Sequence, residues 1–315
     1  MAERSAGPAQ LILSASVARR YYLDGRSKVE IAEEFGLSRF KVARLLDAAR
    51  DSGLVHIEIR HAGVIDVDLS GRLQDRFGLE HAVVVDAPDD DAVHLRQQLG
   101  HATAELLGEV VTSSDVLGLA WARSVSAISA ALPPLPAVPV VQLTGALALP
   151  DGGYGSIDLV RDAARATGGP AYVFYAPFIV SDAATARALR RQPEIARAFD
   201  RVPSVTRAVV ALGLWAPGES TLHDAADERD QEALRALGVC AEISGVFLSG
   251  DGEPVDTELA ARMIGIDADR MRAIPEVIMM AYGLAKEPAL RAALRSGLVG
   301  GLVTHSALAR ALLVP

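Results

Sequence analysis

Three turns that follow predicted strands carry side chains suited to holding an anion. The first is DVLGLAWARSVSAI, where a strand is predicted to end between Gly118 and Trp121 and a helix to begin at once. Arg123, the Ser124 hydroxyl and the free backbone N–H groups at that helix start would together bind a phosphate group. The alternative is a routine strand-to-helix turn with Ser124 as its N-cap.

The other two turns are VVQLTGALALPDGGYGS and VIMMAYGLAKEPALRAAL. The glycines of the former, beginning with Gly145, either let the backbone approach a ligand closely or form a mobile loop. In the latter, Gly283 ends a strand and Lys286, the only lysine after residue 41, precedes a helix. Lys286 would place a compact charge on a phosphate, or act as an amine in Schiff-base chemistry, unless it is a surface lysine.

A different chemistry, contact with DNA, is indicated near the N-terminus by SKVEIAEEFGLSRFKVARLLDAA, residues 27–49. Apolar residues recur about one helical turn apart on both sides of Gly36, which would form a sharp turn, and Ser38 is a good N-cap for the second helix. This spacing predicts a helix-turn-helix. The side chains that would face the major groove or its phosphates are those of Ser38, Arg39, Phe40, Lys41 and Arg44. The alternative is an ordinary helical hairpin with a solvated basic face.

The segments around this motif complete a predicted DNA-binding domain over residues 1–60. Residues 1–10 are predicted to be flexible, and Ser14–Leu23 is predicted to be a supporting helix. After Asp51-Ser52-Gly53, the alternating segment LVHIEIR predicts a short strand that would form a wing or lead into a linker. We therefore expect a winged helix-turn-helix.

Residues 61–315 are predicted to form a larger α/β domain that positions the anion-binding turns. After an amphipathic helix that begins around Asp66, short apolar runs alternate with helical patterns. The predicted strands are His81–Asp86, Asp115–Ala120, Pro139–Thr144, Ala171–Tyr175, Val205–Leu212, Glu242–Leu248, Val277–Ala281 and Gly297–Thr304. The predicted helices are Ala92–Leu107, Arg123–Leu132, Ser156–Ala166, Ala183–Arg190, Asp227–Leu237, Thr257–Ile264 and Pro288–Arg295. This alternation is typical of a doubly wound, mostly parallel sheet, whose ligands bind at the carboxyl ends of the strands.

Composition narrows the classes of partner. The 315 residues carry a net charge of −9, but residues 1–60 carry ten Lys and Arg against eight Asp and Glu, so the remainder is strongly acidic. Only the N-terminal part is therefore suited to nucleic acid. The one cysteine, Cys240, fits a reducing cytosol and is predicted to lie between a helix and a strand. The sequence predicts no metal site, no cofactor, no membrane segment and a cytoplasmic location.

Taken in order, several segments resemble the SorC-type bacterial transcriptional regulators, a sugar-binding, DeoR-like group. The resemblance covers about residues 15–313. It is carried by IAEEFGLSRFKVARLLDAARDSGLVHIEI, GLAWARS, VVQLTGAL, AEISGVFLSGDGEPVD, IGI and AYGLAKEPALRAALRSGLVGGLVT. Each segment alone is weak, whereas the set in this order is specific.

The resemblance implies a winged helix-turn-helix and an effector domain similar in fold to glucosamine-6-phosphate deaminase and ribose-5-phosphate isomerase. It also implies a dimer or tetramer that binds a double-stranded DNA operator and a sugar or sugar phosphate. By position, Arg123 and Ser124 would contact phosphate, Gly145 would line the second loop, Glu242 would accept hydrogen bonds from sugar hydroxyls and Lys286 would meet a phosphate or carbonyl oxygen. Gly118 and Trp121 complete the predicted effector-binding set.

Four positions depart from the family pattern. Ala122 and Ser124 stand where the family usually has Gly and Thr, and Tyr282 stands where a second glycine often precedes Gly283. His305 replaces a common acidic residue after the Thr of the last strand. Ala122 would narrow the phosphate pocket and His305 would change the nearby charge, so we expect an unusual or less phosphorylated effector.

These observations favour a one-component transcription factor whose operator binding responds to a sugar or sugar phosphate, with no catalytic residues. A sugar-phosphate isomerase or deaminase with an attached DNA-binding module is the main alternative. That enzyme would use Glu242, Lys286 and His223 or Asp224 for acid–base chemistry. A third interpretation is a DNA-binding scaffold whose effector pocket has degenerated.

Overall fold

The computed structural model describes residues 7–55, 64–87, 91–147 and 155–314. The chain divides into two compact units, Met1–Ile59 and Arg60–Pro315. This division lies next to the boundary expected between residues 60 and 61. The wing expected from LVHIEIR lies mostly outside the described residues.

The N-terminal unit contains three helices, Pro8–Tyr22 (α1), Lys28–Glu34 (α2) and Arg39–Asp51 (α3). Each of the last two begins at a serine. The Ser27 hydroxyl accepts a hydrogen bond from the Glu30 N–H while the Glu30 carboxylate accepts one from the Ser27 N–H, a reciprocal capping box. The Ser38 hydroxyl accepts a hydrogen bond from the Lys41 N–H at 3.2 Å. These caps satisfy backbone donors that have no partner within the helix.

A small apolar core fixes α2 against α3. Val17 of α1, Ile31 of α2 and Val42 of α3 are each 0% exposed and belong to one cluster. Gly36 lies between the helices with a φ of +63°, a conformation that costs glycine little. The predicted helix-turn-helix is confirmed.

Two local expectations in this unit were wrong. Helix α1 begins at Pro8 and not at Ser14, because a proline at the first helical position has its φ already set for the helix. Residues 8–10 are therefore helical, although they were expected to be flexible.

The larger unit consists of short strands separated by helices. The strands are His81–Val85 (β1), Leu117–Leu119 (β2), Val140–Gln142 (β3), Ala171–Tyr172 (β4), Arg207–Leu214 (β5), Val239–Ile243 (β6), Val246–Ser249 (β7), Glu276–Met280 (β8) and Gly301–His305 (β9). The helices are Val67–Phe77 (α4), Ala92–Val110 (α5), Arg123–Ser126 (α6), Ser156–Thr167 (α7), Ala183–Arg190 (α8), Pro193–Phe199 (α9), Thr221–Ala225 (α10), Glu228–Ala236 (α11), Glu258–Ala261 (α12), Ala268–Arg272 (α13), Glu287–Arg295 (α14) and Ser306–Leu313 (α15).

The main sheet is parallel, with strand order β1-β9-β8-β5-β2-β3-β4. Alternate residues of β5 belong to two different cores. Ala208 and Val210 pack in a cluster with residues of α4, α14 and α15, whereas Val209 and Ala211 pack with residues of α5 and α7. Helices therefore cover both faces of the sheet, which confirms the predicted doubly wound architecture.

One predicted strand is a hairpin. Glu242–Leu248 was expected to be a single strand, but the chain reverses at Ser244 and Gly245, which have φ values of +48° and +96°. Strand β6 therefore pairs antiparallel with β7, and on its other side with the last three residues of β5. Apolar residues directly before and after the Ser-Gly pair concealed this two-residue turn. Cys240, expected between a helix and a strand, lies within β6.

Other predicted elements differ in length or were missed. The predicted strand Ala171–Tyr175 is reduced to β4, and the predicted helix Thr257–Ile264 is reduced to α12. The predicted helix Arg123–Leu132 is the single turn α6 followed by a 3-10 turn, Ala127–Ala130. Four observed helices were not predicted, namely α9, α10, α13 and α15, of which the first three have seven residues or fewer.

Candidate functional site

A cavity of about 320 Å³ opens at the carboxyl ends of the central parallel strands. Residues 121–124 follow β2, residues 211–213 end β5, and Tyr282, Gly283 and Lys286 follow β8, so three neighbouring strands supply its floor. Residues 218–222 and 224 form a further wall, and Glu242 reaches it from β6. The position agrees with the rule that α/β sheets bind ligands beyond the carboxyl ends of their strands.

The structure brings five of the seven predicted effector residues to this cavity, namely Trp121, Arg123, Ser124, Glu242 and Lys286. Gly118 does not reach it, because a side chain there would meet Leu143 and Val205 at 2.9 Å. Gly145 does not reach it either, because a Cβ would come within 2.6 Å of the Pro177 carbonyl oxygen. In both glycines the missing side chain permits close packing within the fold.

The turn after β2 presents Arg123 and Ser124 to the cavity. Helix α6 has Ala122 as its N-cap residue, in extended conformation and without a side-chain cap. Ser124 is therefore not the N-cap; the residue lines the cavity and is only 3% exposed. The Trp121 N–H donates a hydrogen bond to the Thr144 hydroxyl at 3.0 Å, which fixes this turn to the end of β3.

The opposite wall is built around the buried carboxylate of Glu242. One of its oxygens accepts a hydrogen bond from the Ser220 hydroxyl and the other from the Gly245 N–H, both at 2.9 Å. Burial raises the pKa of Glu242 above its ordinary value, although these two hydrogen bonds and the Lys286 charge act in the opposite direction. The hairpin turn therefore holds a carboxylate in a place where its charge is poorly solvated.

Lys286 provides the main buried positive charge of the cavity. The residue is 7% exposed, and its ammonium donates to the Leu212 carbonyl oxygen at 3.4 Å. The ammonium also lies 4.8 Å from the centre of the Tyr282 ring. Among the residues that the structure describes, no carboxylate lies within ion-pairing distance of Lys286. The charge is therefore positioned mainly by neutral groups.

The cavity-lining residues that sequence reasoning missed include Arg96 of α5, Ser220 and Tyr282. Arg96 lies in an ordinary amphipathic helix, so its residue type carried no signal. Ser220 follows β5 and caps α10 with its hydroxyl, a role that a Ser before a short helix does suggest. Tyr282 was noted only as a departure from a glycine pair. The glycine-rich stretch 148–154, predicted to approach a ligand, lies outside the described residues.

His223, considered as an acid–base group, is buried at 1% exposure and is not part of the cavity wall. Its ring lies edge-on to Trp215, with 5.0 Å between the ring centres, and its Nδ1 lies 3.3 Å from an Asp224 oxygen. Asp224 itself does line the cavity and accepts a hydrogen bond from the Gly218 N–H at 2.9 Å. The His223-Asp224 pair thus braces the turn after β5.

A second group of charges lies at the amino ends of the same strands. Arg207, the first residue of β5, pairs with Glu276 of β8 and with Asp115, whose carboxylate also accepts hydrogen bonds from Thr206 and Thr112. Burial opposes ionisation of Asp115, but these hydrogen bonds outweigh it and lower its pKa to about 2. The His81 Nδ1 lies 2.5 Å from the Glu276 carboxylate.

Glu80, His81 and Glu276 together offer three possible metal-ligand atoms within 4.8 Å of one another. The Arg207 guanidinium is already paired with Glu276, and a positive charge at that position opposes a cation. We therefore interpret this group as an ion-pair network that joins the amino ends of β1, β5 and β8.

The residues predicted to contact DNA share one exposed surface of α3. Ser38, Arg39, Lys41 and Arg44 are exposed, and Phe40 is the most exposed large apolar residue of the described chain at 80%. Within the described residues, neither Arg39, Lys41 nor Arg44 forms an ion pair. The opposite side of α3 carries Val42, Leu45, Leu46 and Ala49 into the core. The positive side chains are thus free to meet phosphates.

A helix-turn-helix and an α/β unit with a polar cavity at its strand ends define an effector-controlled DNA-binding regulator. Comparison with known proteins agrees. Residues 64–314 match the family model described as "Putative sugar-binding domain". The chain is 30% identical over 304 residues to the transcriptional regulator YjhU of Escherichia coli, an alignment that covers 93% of this chain and 92% of that protein.

Two further relatives span nearly the whole chain. LsrR of Klebsiella pneumoniae, a transcriptional regulator, is 29% identical over 96% of this chain and 92% of its own. The erythritol catabolism regulatory protein EryD of Brucella abortus is 28% identical over 96% of each chain. The chain therefore belongs to the family of sugar-binding transcriptional regulators.

Solved structures agree with the fold. The full-length sorbitol operon regulator SorC of Klebsiella pneumoniae is similar with a TM-score of 0.74 and 23% identity, covering 98% of this chain and 100% of that one. A DeoR family regulator from Listeria monocytogenes is similar with a TM-score of 0.70 and 27% identity, covering 78% and 99%. The SorC-type resemblance is confirmed, and the chain is a DNA-binding regulator under effector control. No helix in the described part of the chain is both long and apolar enough to cross a membrane.

Proposed function

We propose that the effector is a phosphorylated sugar that binds in the cavity at the strand ends and changes the affinity of α3 for its operator. The main support is the distribution of charge around the cavity. Arg96, Arg123 and Lys286 line it, and none of them forms an ion pair with another described residue. An anion that replaces their water would be held by hydrogen bonds assisted by charge.

The acidic wall suits the hydroxyl groups of the same ligand. Each oxygen of Glu242 has one hydrogen bond from the protein, and a carboxylate oxygen has capacity for a second. Sugar hydroxyls would donate to Glu242 and Asp224, while the Ser124 hydroxyl and the Arg123 guanidinium would bind phosphate oxygens. A ligand with both a sugar and a phosphate group is favoured over a free sugar or free phosphate, because either of these alone leaves one set of polar groups in the cavity without partners.

We infer that the cavity binds its ligand without turnover. The relatives named above are regulators. The candidate base His223 lies against Trp215 and does not reach the cavity. Incubation of the purified protein with a panel of aldose, ketose and amino-sugar phosphates should leave each compound unchanged. Isomerisation or release of ammonia that is lost in the Glu242→Gln variant would instead establish the enzyme.

For operator recognition, we propose that Arg39, Lys41 and Arg44 contact phosphates or guanine edges, since residues near the start of a recognition helix reach the bases. Ser38 lies at the same end and would donate its hydroxyl to a phosphate. Phe40, exposed at the second position of α3, offers the apolar surface that a thymine methyl group prefers. The position and exposure of these five residues in this unit support the proposed roles.

Effector and operator would act on each other through the assembly. A single helix-turn-helix binds weakly, so we propose that the larger unit joins the chains as a cytoplasmic dimer or tetramer and sets the spacing of paired α3 helices. A coupling free energy of ~1–3 kcal/mol between the two sites would change operator affinity by roughly 5- to 150-fold.

The test combines thermal shift with operator binding. A panel of sugar phosphates and the matching free sugars is added to the full-length protein, and the melting temperature is recorded. A ligand at a hundred times its dissociation constant adds ~2.7 kcal/mol to the free energy of unfolding. Compounds that stabilise are then titrated into the complex with an operator selected from random duplexes. Stabilisation with no change in operator affinity or assembly would contradict the proposed control.

A further inference from the structure

The cavity contains a tyrosine that contacts two cations at once. Tyr282 follows β8, and its hydroxyl accepts a hydrogen bond from Nη1 of Arg96 at 3.3 Å. The Arg96 guanidinium carbon lies 5.8 Å from the centre of the Tyr282 ring, and the Lys286 ammonium lies 4.8 Å from the same centre. Aromatic rings attract cations at such distances.

These contacts place two positive charges around one tyrosine ring in the lining of the cavity. Arg96 reaches the wall from α5, whereas Tyr282 and Lys286 belong to the turn after β8. Neither cation forms an ion pair with any residue the structure describes, although carboxylates neutralise Arg207, Arg262 and Arg291 elsewhere in this unit. Two positive charges that face the same ring and form no ion pair repel each other, so an anion within reach of both would be attracted by both.

We propose that Arg96 and Lys286, spaced by the Tyr282 ring, form a clamp for the phosphate group of the effector, with Tyr282 as the positioning residue. This inference rests on the proposed function, because it assumes a phosphorylated effector. The planar guanidinium of Arg96 supplies two parallel donors and Lys286 supplies a point charge. A phosphate monoester, which carries close to two negative charges at neutral pH, matches this pair better than a carboxylate does.

The clamp also explains how phosphate can bind although Tyr282 stands where the family often has a glycine. Glycine in place of Tyr282 would remove both the acceptor for Arg96 and the ring beneath Lys286. Arg96 would then be one more flexible arginine at the end of a helix. The tyrosine instead recruits a residue from α5 to the site, which adds a donor that the turns after β2 and β8 do not supply.

The test compares affinities for phosphorylated and free forms of one sugar in the full-length protein. The probes are inorganic phosphate, the stabilising sugar phosphate found by thermal shift and its dephosphorylated sugar, with binding followed by calorimetry or by tryptophan fluorescence. Arg96→Gln should lower the affinity for the sugar phosphate about tenfold or more, because it removes a hydrogen bond to a charged group. Tyr282→Phe, which keeps the ring, should lower the same affinity about two- to tenfold.

The affinity for inorganic phosphate should fall in the same order. The affinity for the free sugar should change little in either variant. Arg96→Lys, which keeps the charge and loses the planar fork, should fall between wild type and Arg96→Gln. The matched control is Arg161 and Tyr175, an arginine–tyrosine pair with a 2.7 Å hydrogen bond outside the cavity. Arg161→Gln and Tyr175→Phe should leave all three affinities unchanged.

The possible failures are distinguishable. If the wild-type protein binds no sugar phosphate, the proposed function fails. If it does bind one but Arg96→Gln and Tyr282→Phe keep the wild-type ratio of affinities for phosphorylated and free sugar, the clamp is overturned and the proposed function stands. Circular dichroism and melting temperatures of each variant establish that it is folded, and Arg96→Lys and Tyr282→Phe preserve most of the packing volume should Arg96→Gln not fold.

Discussion

The backbone N–H of Gly283 donates a hydrogen bond to Nε2 of His305, over 3.3 Å. His305 ends β9 and is 0% exposed, and Gly283 has a φ of +89°, so the ring supports a turn that most side chains could not adopt. A ring nitrogen that accepts a hydrogen bond carries no proton. This hydrogen bond links His305 to the turn that contains Tyr282 and Lys286, so a substitution of His305 would act on the cavity through the geometry of that turn.

Replacing His305 by leucine should destabilise the protein and loosen the turn. The half-buried Gly283 N–H would lose its acceptor, and the cost would be at most that of a fully buried donor without a partner, about 1–3 kcal/mol. Urea unfolding should show the loss, and binding of the sugar phosphate should weaken because Lys286 is less well positioned. The His305→Gln side chain can still present an oxygen to the same N–H, so this variant should lose less stability and less affinity. Equal losses in both variants would show that ring packing, and not this hydrogen bond, is what matters.

Glu242→Gln should make the protein more stable at high pH while weakening effector binding. Since burial raises the pKa of Glu242 in the folded state, folding favours its protonated form. The resulting stability is present below the unfolded pKa of about 4.5 and is lost as pH rises through the folded value. The free energy of unfolding of the wild type should therefore fall relative to that of the variant as the pH rises from acidic to neutral. The control is Glu232→Gln, at an exposed position of α11, which should follow the wild-type profile at every pH.

Phe40 should recognise one thymine methyl group in the operator. Phe40→Ala should weaken operator binding by about 1–3 kcal/mol and relax the preference at one base pair. Replacing each thymine in turn by deoxyuridine removes only its methyl group. Wild type should lose affinity at one such position per half-site, and Phe40→Ala should not. If the alanine variant is as sensitive to deoxyuridine as wild type, Phe40 does not contact the methyl group. The effector affinity of the variant checks that the rest of the chain is intact.

Asp115→Asn should cost stability at neutral pH and little in acid. The pKa of Asp115 is lowered to about 2, so its stabilising contribution is present above the ordinary value of 3.8 and is lost as pH falls through about 2. We expect a deficit of about 2 kcal/mol at pH 7 by this linkage, which shrinks as the wild-type carboxylate takes up its proton. Asp269→Asn, at an exposed site, should show no such pH-dependent difference. A deficit that persists at pH 2 would indicate a packing defect.

The sequence was most informative where structure is determined locally. The helix-turn-helix could be predicted because Ser27, Gly36 and Ser38 mark helix ends within a short segment. The strand order could not be predicted, because it depends on contacts between distant residues, such as the pairing of β1 with β9. The hairpin at Ser244 was missed for a local reason: apolar residues stand directly on both sides of the turn, and a Ser-Gly pair is a weaker signal than Asn-Gly.

The same distinction holds for the candidate cavity. Arg123, Ser124 and Lys286 were found because they follow strands in short turns, and Glu242 was found through the family resemblance. Arg96 was not found, since nothing in an amphipathic helix indicates that one arginine will meet a tyrosine 186 positions later. Gly118 and Gly145 were assigned to the effector but pack against their own fold, because a glycine permits close approach by protein as readily as by ligand.

The position of Cys240 allows ligand binding to be followed with a fluorescent label. It is the sole thiol of the chain, lies two residues from Glu242 on β6, and is half-buried, with burial raising its pKa. A slow reaction with an environment-sensitive dye at mildly alkaline pH would label one defined point on the hairpin. Its emission would then follow occupancy of the neighbouring cavity in real time, without altering any residue proposed to touch the ligand.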